Sequence, residues 1–254
     1  YILGLPEYSM MRKEILIAII ISIAIAVAIL SLPDILEPIA HKILTILGTY
    51  WALAIFIIGL IHGIKPDEHT WPITISYALM QKQFKYAIVS TAIFTTALTL
   101  VWTMLSALTS EIYSFLTNYN LDPYVDVIVG LTMISVSIGL LLMRKSEVSQ
   151  ESVRGYKVIW VHGLAAAFGG DFIVVLLLTL ALTPIVGQAG FLIGLLFGIG
   201  SFVSQAIIVG LTYKGAIKAL KRDFSVMERA GKFSLLFLGI FMIFLGIYSF
   251  MTGG

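Results

Sequence analysis

Four side chains that can bind a metal ion lie within eight positions of one another: His62, Asp67, Glu68 and His69. Imidazole and carboxylate groups together suit Ni²⁺, Co²⁺, Zn²⁺ or Fe²⁺ better than Mg²⁺ or Ca²⁺, which prefer oxygen ligands alone. The chain has four His and no Cys, so half of its imidazoles are in this segment and thiolate ligands are excluded. The pattern predicts a transition-metal site with His62, Asp67 and His69 as direct ligands. Glu68 is expected to complete the site or to relay protons. The alternative for all four residues, and for Lys65, is an ordinary loop position in cytoplasmic water.

The same segment contains residues that interrupt a helix. A straight helix over 43–81 would be about 58 Å long, whereas the hydrocarbon core of a bilayer is about 30 Å thick. Pro66 cannot continue a helix, and Pro72 fits the first turn of a new one. We therefore predict a helix, a non-helical stretch at 64–70 inside the membrane, and a second short helix. In transporters, breaks of this kind mark the substrate site.

Three polar residues in the second half of the chain are further candidates. His162 follows His62 by one hundred positions, and both are followed by Gly. Asp171 falls near the middle of a long apolar run, where ionisable groups are costly and usually functional. We expect His162 and Asp171 to complete the metal site or to relay protons, and Gln205 to line the cavity. The alternative for the first two is a structural role, with Asp171 paired to Lys or to backbone groups. His41, in an acidic loop, is interpreted as a surface residue.

Composition indicates that lipid surrounds most of the chain. Hydrophobic residues make up 59% of the sequence and charged residues 12%, the mean hydropathy is +1.01, and a soluble domain is about a quarter charged. Apolar stretches that approach the roughly 20 residues needed to cross a bilayer occur at 15–32, 43–63, 86–108, 124–143, 158–182, 190–213 and 233–251. We predict an all-α integral membrane protein with seven transmembrane helices, the first of which is retained rather than cleaved as a signal peptide.

The basic residues predict the orientation of these spans. Of the 16 Lys and Arg residues, all except Lys42 fall in segments on one side of the predicted membrane. Positive charge concentrates on the cytoplasmic side, so we expect a cytoplasmic N-terminus and an extracytoplasmic C-terminus.

The predicted spans divide into one leading helix and two sets of three. We predict an N-terminal segment with the first transmembrane helix at 1–42, a three-helix repeat at 43–143, a cytoplasmic linker at 144–157 and a second repeat at 158–254. Because the two sets begin on opposite sides of the membrane, they predict a 3+3 inverted repeat, an arrangement common in secondary transporters.

Small residues and threonines within the spans are interpreted as structural rather than as metal ligands. Gly190, Gly194 and Gly198 recur at four-residue spacing, which favours close helix packing. The hydroxyls of Thr95, Thr96 and Thr99 are expected to bond to their own helix backbone rather than to an ion.

The stretch GLIHGIKPDEHTWP resembles the signature of NicO-type nickel/cobalt transporters, in which His is followed by four residues, Asp and His. His62, Pro66 and Asp67 match this signature by position. The second His is displaced by one, because Glu68 stands before His69. The resemblance covers about a dozen residues closely and the helical layout loosely. It implies transport of a divalent transition metal, nickel or cobalt first, with recognition by the His and Asp residues.

The leading functional hypothesis is therefore a metal transporter and not an enzyme. We expect no prosthetic cofactor, membrane lipid and a metal-ion substrate as partners, and no nucleic acid; a homo-oligomer is left open. No Gly-Lys-Ser/Thr phosphate-binding stretch is present, so ATP coupling would need a partner chain. One alternative is an intramembrane zinc-dependent hydrolase, in which His and Asp hold a Zn²⁺-activated water, although the His-Glu-x-x-His motif is absent. Another is a membrane scaffold.

Overall fold

The protein is built from helices in every part that the structure, a computed structural model, describes. The described residues are 5–31, 36–109, 122–142, 151–169, 172–220 and 223–252. Their α-helices are α1 (Leu5–Ser31), α2 (Leu36–Leu47), α3 (Trp51–Ile64), α4 (Trp71–Leu79), α5 (Phe84–Ala107), α6 (Asp122–Leu142), α7 (Glu151–Ala166), α8 (Phe172–Val186), α9 (Phe191–Ala219) and α10 (Phe224–Thr252). Six helical segments are long and apolar enough to cross a membrane, and α8 is a shorter apolar helix. The predicted all-α membrane architecture of about seven helices is confirmed.

The first helix break separates α3 from α4. Helix α3 ends at Ile64 and α4 begins at Trp71, so the predicted break is present and is one residue shorter than the predicted 64–70. Pro72 stands in the first turn of α4, where its missing N–H has no helical partner to lose. The amides of Thr70 and Trp71 both donate to the carbonyl of Asp67, at 3.4 and 3.1 Å, and this turn joins the two half-helices.

The break lies halfway along a neighbouring crossing. Gly63, at the end of α3, packs closely against Ser201 and Ser204 near the middle of α9. Beyond α4, the carbonyl of Gln81 accepts a hydrogen bond of 2.9 Å from the hydroxyl of Tyr213, in the last third of α9. Since α9 is one of the helices long enough to cross a membrane, the break lies beside the middle of a candidate crossing.

The apolar run predicted as one span at 158–182 is not a single helix. It forms α7 and α8, and Ala167 to Gly169 between them are non-helical. Glycine at 169 and 170 accounts for the interruption, because glycine costs about 1 kcal/mol relative to alanine in a helix interior. The indole Nε1 of Trp102 donates to the carbonyl of Ala167 at 3.1 Å, which ties this second break to α5.

The helices that precede the two breaks, α3 and α7, run in opposite directions. In α3, Gly59 and Gly63 meet Phe197 and Ser201 of α9 in that order, so these helices are parallel. In α7 and the break after it, Gly163 meets Phe94 and Ala167 meets Trp102, and α7 is therefore parallel to α5. Helices α5 and α9 are antiparallel, since Gly194 lies against Trp102 and Gly198 against Thr99. It follows that α3 and α7 point in opposite directions.

Long helices pack in two groups. One contains α3, α5 and α9, and the other contains α1, α6 and α10; α4 and α7 each contact members of both. Close backbone approach within the groups uses glycine, as in the contacts of Gly194 with Trp102 and of Gly130 with Gly239. Gly194 and Gly198 thus have the packing role predicted from their spacing.

Threonine hydroxyls within α5 bond to the helix itself. Those of Thr95, Thr96 and Thr99 donate to carbonyls four residues earlier at 2.9, 2.6 and 2.7 Å. The predicted backbone role of these residues is confirmed.

Candidate metal site

Three ligand groups converge in the first break. One ligand atom from each of Asp67, Glu68 and His69 lies within 4.8 Å of the other two. Nδ1 of His69 is 3.5 Å from Oδ1 of Asp67 and 3.7 Å from Oε1 of Glu68. The backbone amide of His69 also donates to Oδ1 of Asp67 at 3.2 Å, so the Asp67 carboxylate stabilises the turn that brings the groups together.

Two of the three residues are buried and the third is partly exposed, which suits a metal site that is open to solvent on one side. His69 and Asp67 are 1% and 4% exposed, whereas the side chain of Glu68 is 33% exposed. Removing a carboxylate from water is costly unless a cation or hydrogen bonds compensate it. Two ligands are therefore enclosed, and Glu68 is the member that a hydrated cation can reach first.

A fourth residue, Asp126 of α6, faces the other side of the same imidazole. Its Oδ1 is 2.9 Å from Nε2 of His69, and the residue is 6% exposed. Sequence reasoning assigned it no role, although Asp126 lies inside the apolar stretch 124–143. The signal that drew attention to Asp171, an ionisable residue within a span, applies equally to Asp126.

The two nitrogens of His69 thus have different partners. A metal-bound imidazole commonly uses one nitrogen for the ion and donates the other N–H to a carboxylate, which fixes the ring. Here Nδ1 faces Asp67 and Glu68, and Nε2 faces Asp126. This arrangement can hold a divalent cation between two carboxylates and Nδ1, with Asp126 orienting the ring.

The hydrogen bonding of these atoms also suits a cation. Although they are buried, neither ring nitrogen of His69 nor Oδ1 of Asp126 makes a hydrogen bond of normal geometry within the described residues. Buried polar atoms are nearly always hydrogen-bonded in native proteins, and exceptions concentrate at functional sites. The 2.9 Å contact places Nε2 within hydrogen-bonding distance of Asp126.

His62 lies outside the group formed by Asp67, Glu68 and His69. It is 1% exposed, and its ring packs against Trp102 and Phe197 with centroid distances of 5.3 and 5.0 Å. Its role as a direct ligand stays a prediction.

His162 and Gln205 contact residues outside the group of Asp67, Glu68 and His69. Nδ1 of His162 is 3.0 Å from the hydroxyl of Tyr77 in α4. Gln205 is buried, and its Nε2 is 3.4 Å from the hydroxyl of Ser201. Asp171 is outside the described residues. His41 is exposed, as predicted.

Comparisons of the chain with protein-family models, with curated proteins and with solved structures give no match. The likeness to nickel/cobalt transporters therefore depends on the sequence motif alone. The function is inferred from the geometry of Asp67, Glu68 and His69.

Proposed function

We propose that this membrane protein transports a divalent transition-metal cation, nickel or cobalt first, and that the ion binds to Asp67, Glu68 and His69. The observation that carries the proposal is the convergence of two carboxylates and an imidazole at a helix break beside the middle of α9. A cation that leaves water loses most of its hydration shell and needs ligands that replace it. Imidazole and carboxylate together favour the later first-row metals.

The surroundings of the site favour movement of the ion over chemistry on a bound substrate. Broken helices at mid-membrane are a recurrent feature of transporter substrate sites. The half-buried Glu68 gives an ion a point of entry, while His69 and Asp67 are enclosed. Opposite directions of α3 and α7 support the further proposal that 43–143 and 158–254 form an inverted repeat.

Transport in reconstituted vesicles tests this proposal. We expect saturable movement of Ni²⁺ or Co²⁺ across the membrane of protein-containing vesicles, and calorimetric binding of the same ions to the purified protein. If the protein binds Zn²⁺ but moves no metal, and hydrolyses a lipid or peptide, it is a hydrolase. If no ion in a divalent panel binds or moves, the proposal is wrong.

We propose an orientation with the N-terminus in the cytoplasm and the C-terminus outside it. The basis is that 14 of the 16 basic residues, all except Lys42 and Lys65 of the first break, fall on one side of the predicted spans, since the bias in Lys and Arg sets topology. A reporter enzyme that is active only outside the cytoplasm, fused after Gly254, should be active. A reporter that is active only in the cytoplasm should be silent at the same position, and the reverse pattern would contradict the orientation.

A further inference from the structure

Gly169, in the second break, lies directly against the imidazole of His69 in the first. A Cβ built on Gly169 would overlap Cδ2, Nε2 and Cε1 of that ring. Nε2 is the nitrogen that faces Asp126. Because that Cβ would be nearly equidistant from the three ring atoms, the backbone at Gly169 lies against the face of the ring, over the half that contains Nε2.

Two hydrogen bonds hold the segment that leads into Gly169. Its amide donates to the carbonyl of Ala166 at 3.1 Å, and the next carbonyl along the chain, of Ala167, accepts from the indole of Trp102. Trp102 is 2% exposed and packs edge-on against Phe197 with a centroid distance of 5.1 Å. A buried aromatic side chain thus anchors the break that presents Gly169 to the site.

We propose that Gly169 is a positioning residue of the metal site. It acts through His69: the close backbone approach holds the ring so that Nε2 reaches Asp126 and Nδ1 points at Asp67 and Glu68. No other residue type can take this place without moving the imidazole, because all have a Cβ. This inference deepens the proposed function and rests on it. The second break then forms one side of the metal site that lies in the first break.

Binding of Co²⁺ to purified protein tests the inference, because the visible spectrum of bound Co²⁺ reports ligand type and geometry. For Gly169→Ala we expect a Co²⁺ affinity that is lower by roughly 10- to 100-fold, the usual effect of disturbing groups that orient a ligand. At saturation its spectrum should match that of His69→Ala rather than that of the parent. A change in stability alone would not alter the spectrum of the bound ion.

Two further variants complete the comparison. Gly139→Ala makes the same chemical change where a Cβ meets nothing within 4 Å, and it should keep the parent affinity and spectrum. Trp102→Phe keeps an aromatic ring but loses the hydrogen bond to Ala167, so its spectrum should shift in the same direction as that of Gly169→Ala.

The outcomes separate this inference from the proposed function. If the parent binds Co²⁺ and Gly169→Ala keeps the parent spectrum and affinity, the positioning role is wrong while the site remains. If Gly169→Ala does not fold, Trp102→Phe decides, and a parent-like spectrum overturns the role. If the parent binds no Co²⁺, the proposed function fails and this inference fails with it.

Discussion

In the His69→Ala protein, we expect Co²⁺ or Ni²⁺ binding to weaken on the order of 100-fold or more, since even residues that only orient a ligand cost 10- to 100-fold. His69 supplies the imidazole nitrogen of the site and is the group around which both carboxylates and Asp126 are arranged. Isothermal calorimetry on the purified protein measures the loss, and vesicle uptake should fall in parallel.

His41→Ala is the matched control for this experiment. It removes an identical imidazole from an exposed position, and surface substitutions usually change stability by within about 0.5 kcal/mol. Metal affinity should equal that of the parent. The His69→Ala protein should remain folded, because the carbonyl of Asp67 that joins the half-helices is untouched. If the His69→Ala protein bound metal as tightly as the parent, the first break would not be the metal site.

Asp126→Asn is expected to lower metal affinity by about 10- to 100-fold while leaving the metal-free protein nearly as stable as the parent. The substitution keeps the shape and one oxygen within reach of Nε2 of His69, but it removes the negative charge that favours a metal-bound imidazole. Asp67 and Glu68 still face the other nitrogen. Calorimetry gives the affinity, and thermal unfolding with and without metal gives the stability.

The control for Asp126→Asn is Asp223→Asn, the same change at an exposed carboxylate. Hydrogen bonds from the hydroxyl of Ser225 and the amide of Val226 hold the pKa of Asp223 below its ordinary value. Because Asn caps a helix about as well as Asp does, this control should keep both stability and metal binding. If Asp126→Asn bound metal as tightly as the parent, Asp126 would have no orienting role.

The candidate ligands of the first break could be grouped from the sequence because they are close together in the chain. Pro66 and Pro72 each have a local effect on helix geometry, and the excess length of 43–81 requires an interruption. Asp67, Glu68 and His69 lie inside that interruption, so their proximity needed no knowledge of tertiary structure.

The features that could not be predicted from the sequence depend on contacts between segments that are distant in the chain. Asp126 and Gly169 reach His69 from α6 and from the second break, and no local pattern pairs them with it. The run 158–182 has the length of one span, and only the adjacent pair Gly169 and Gly170 signals that it divides. His62 is close to the ligands in sequence, but it lies on α3 before the break, where its ring packs against Trp102 and Phe197.

The central claim is that a transition-metal ion binds between Asp67, Glu68 and His69. Anomalous diffraction from crystals soaked in Co²⁺, recorded on either side of the cobalt absorption edge, locates the ion directly. We predict a single strong peak about 2.0–2.2 Å from Nδ1 of His69 and from a carboxylate oxygen of Asp67, the distance range of nitrogen and oxygen ligands to such ions. A peak bound elsewhere, for example at His162, or no peak within reach of His69, would contradict the account.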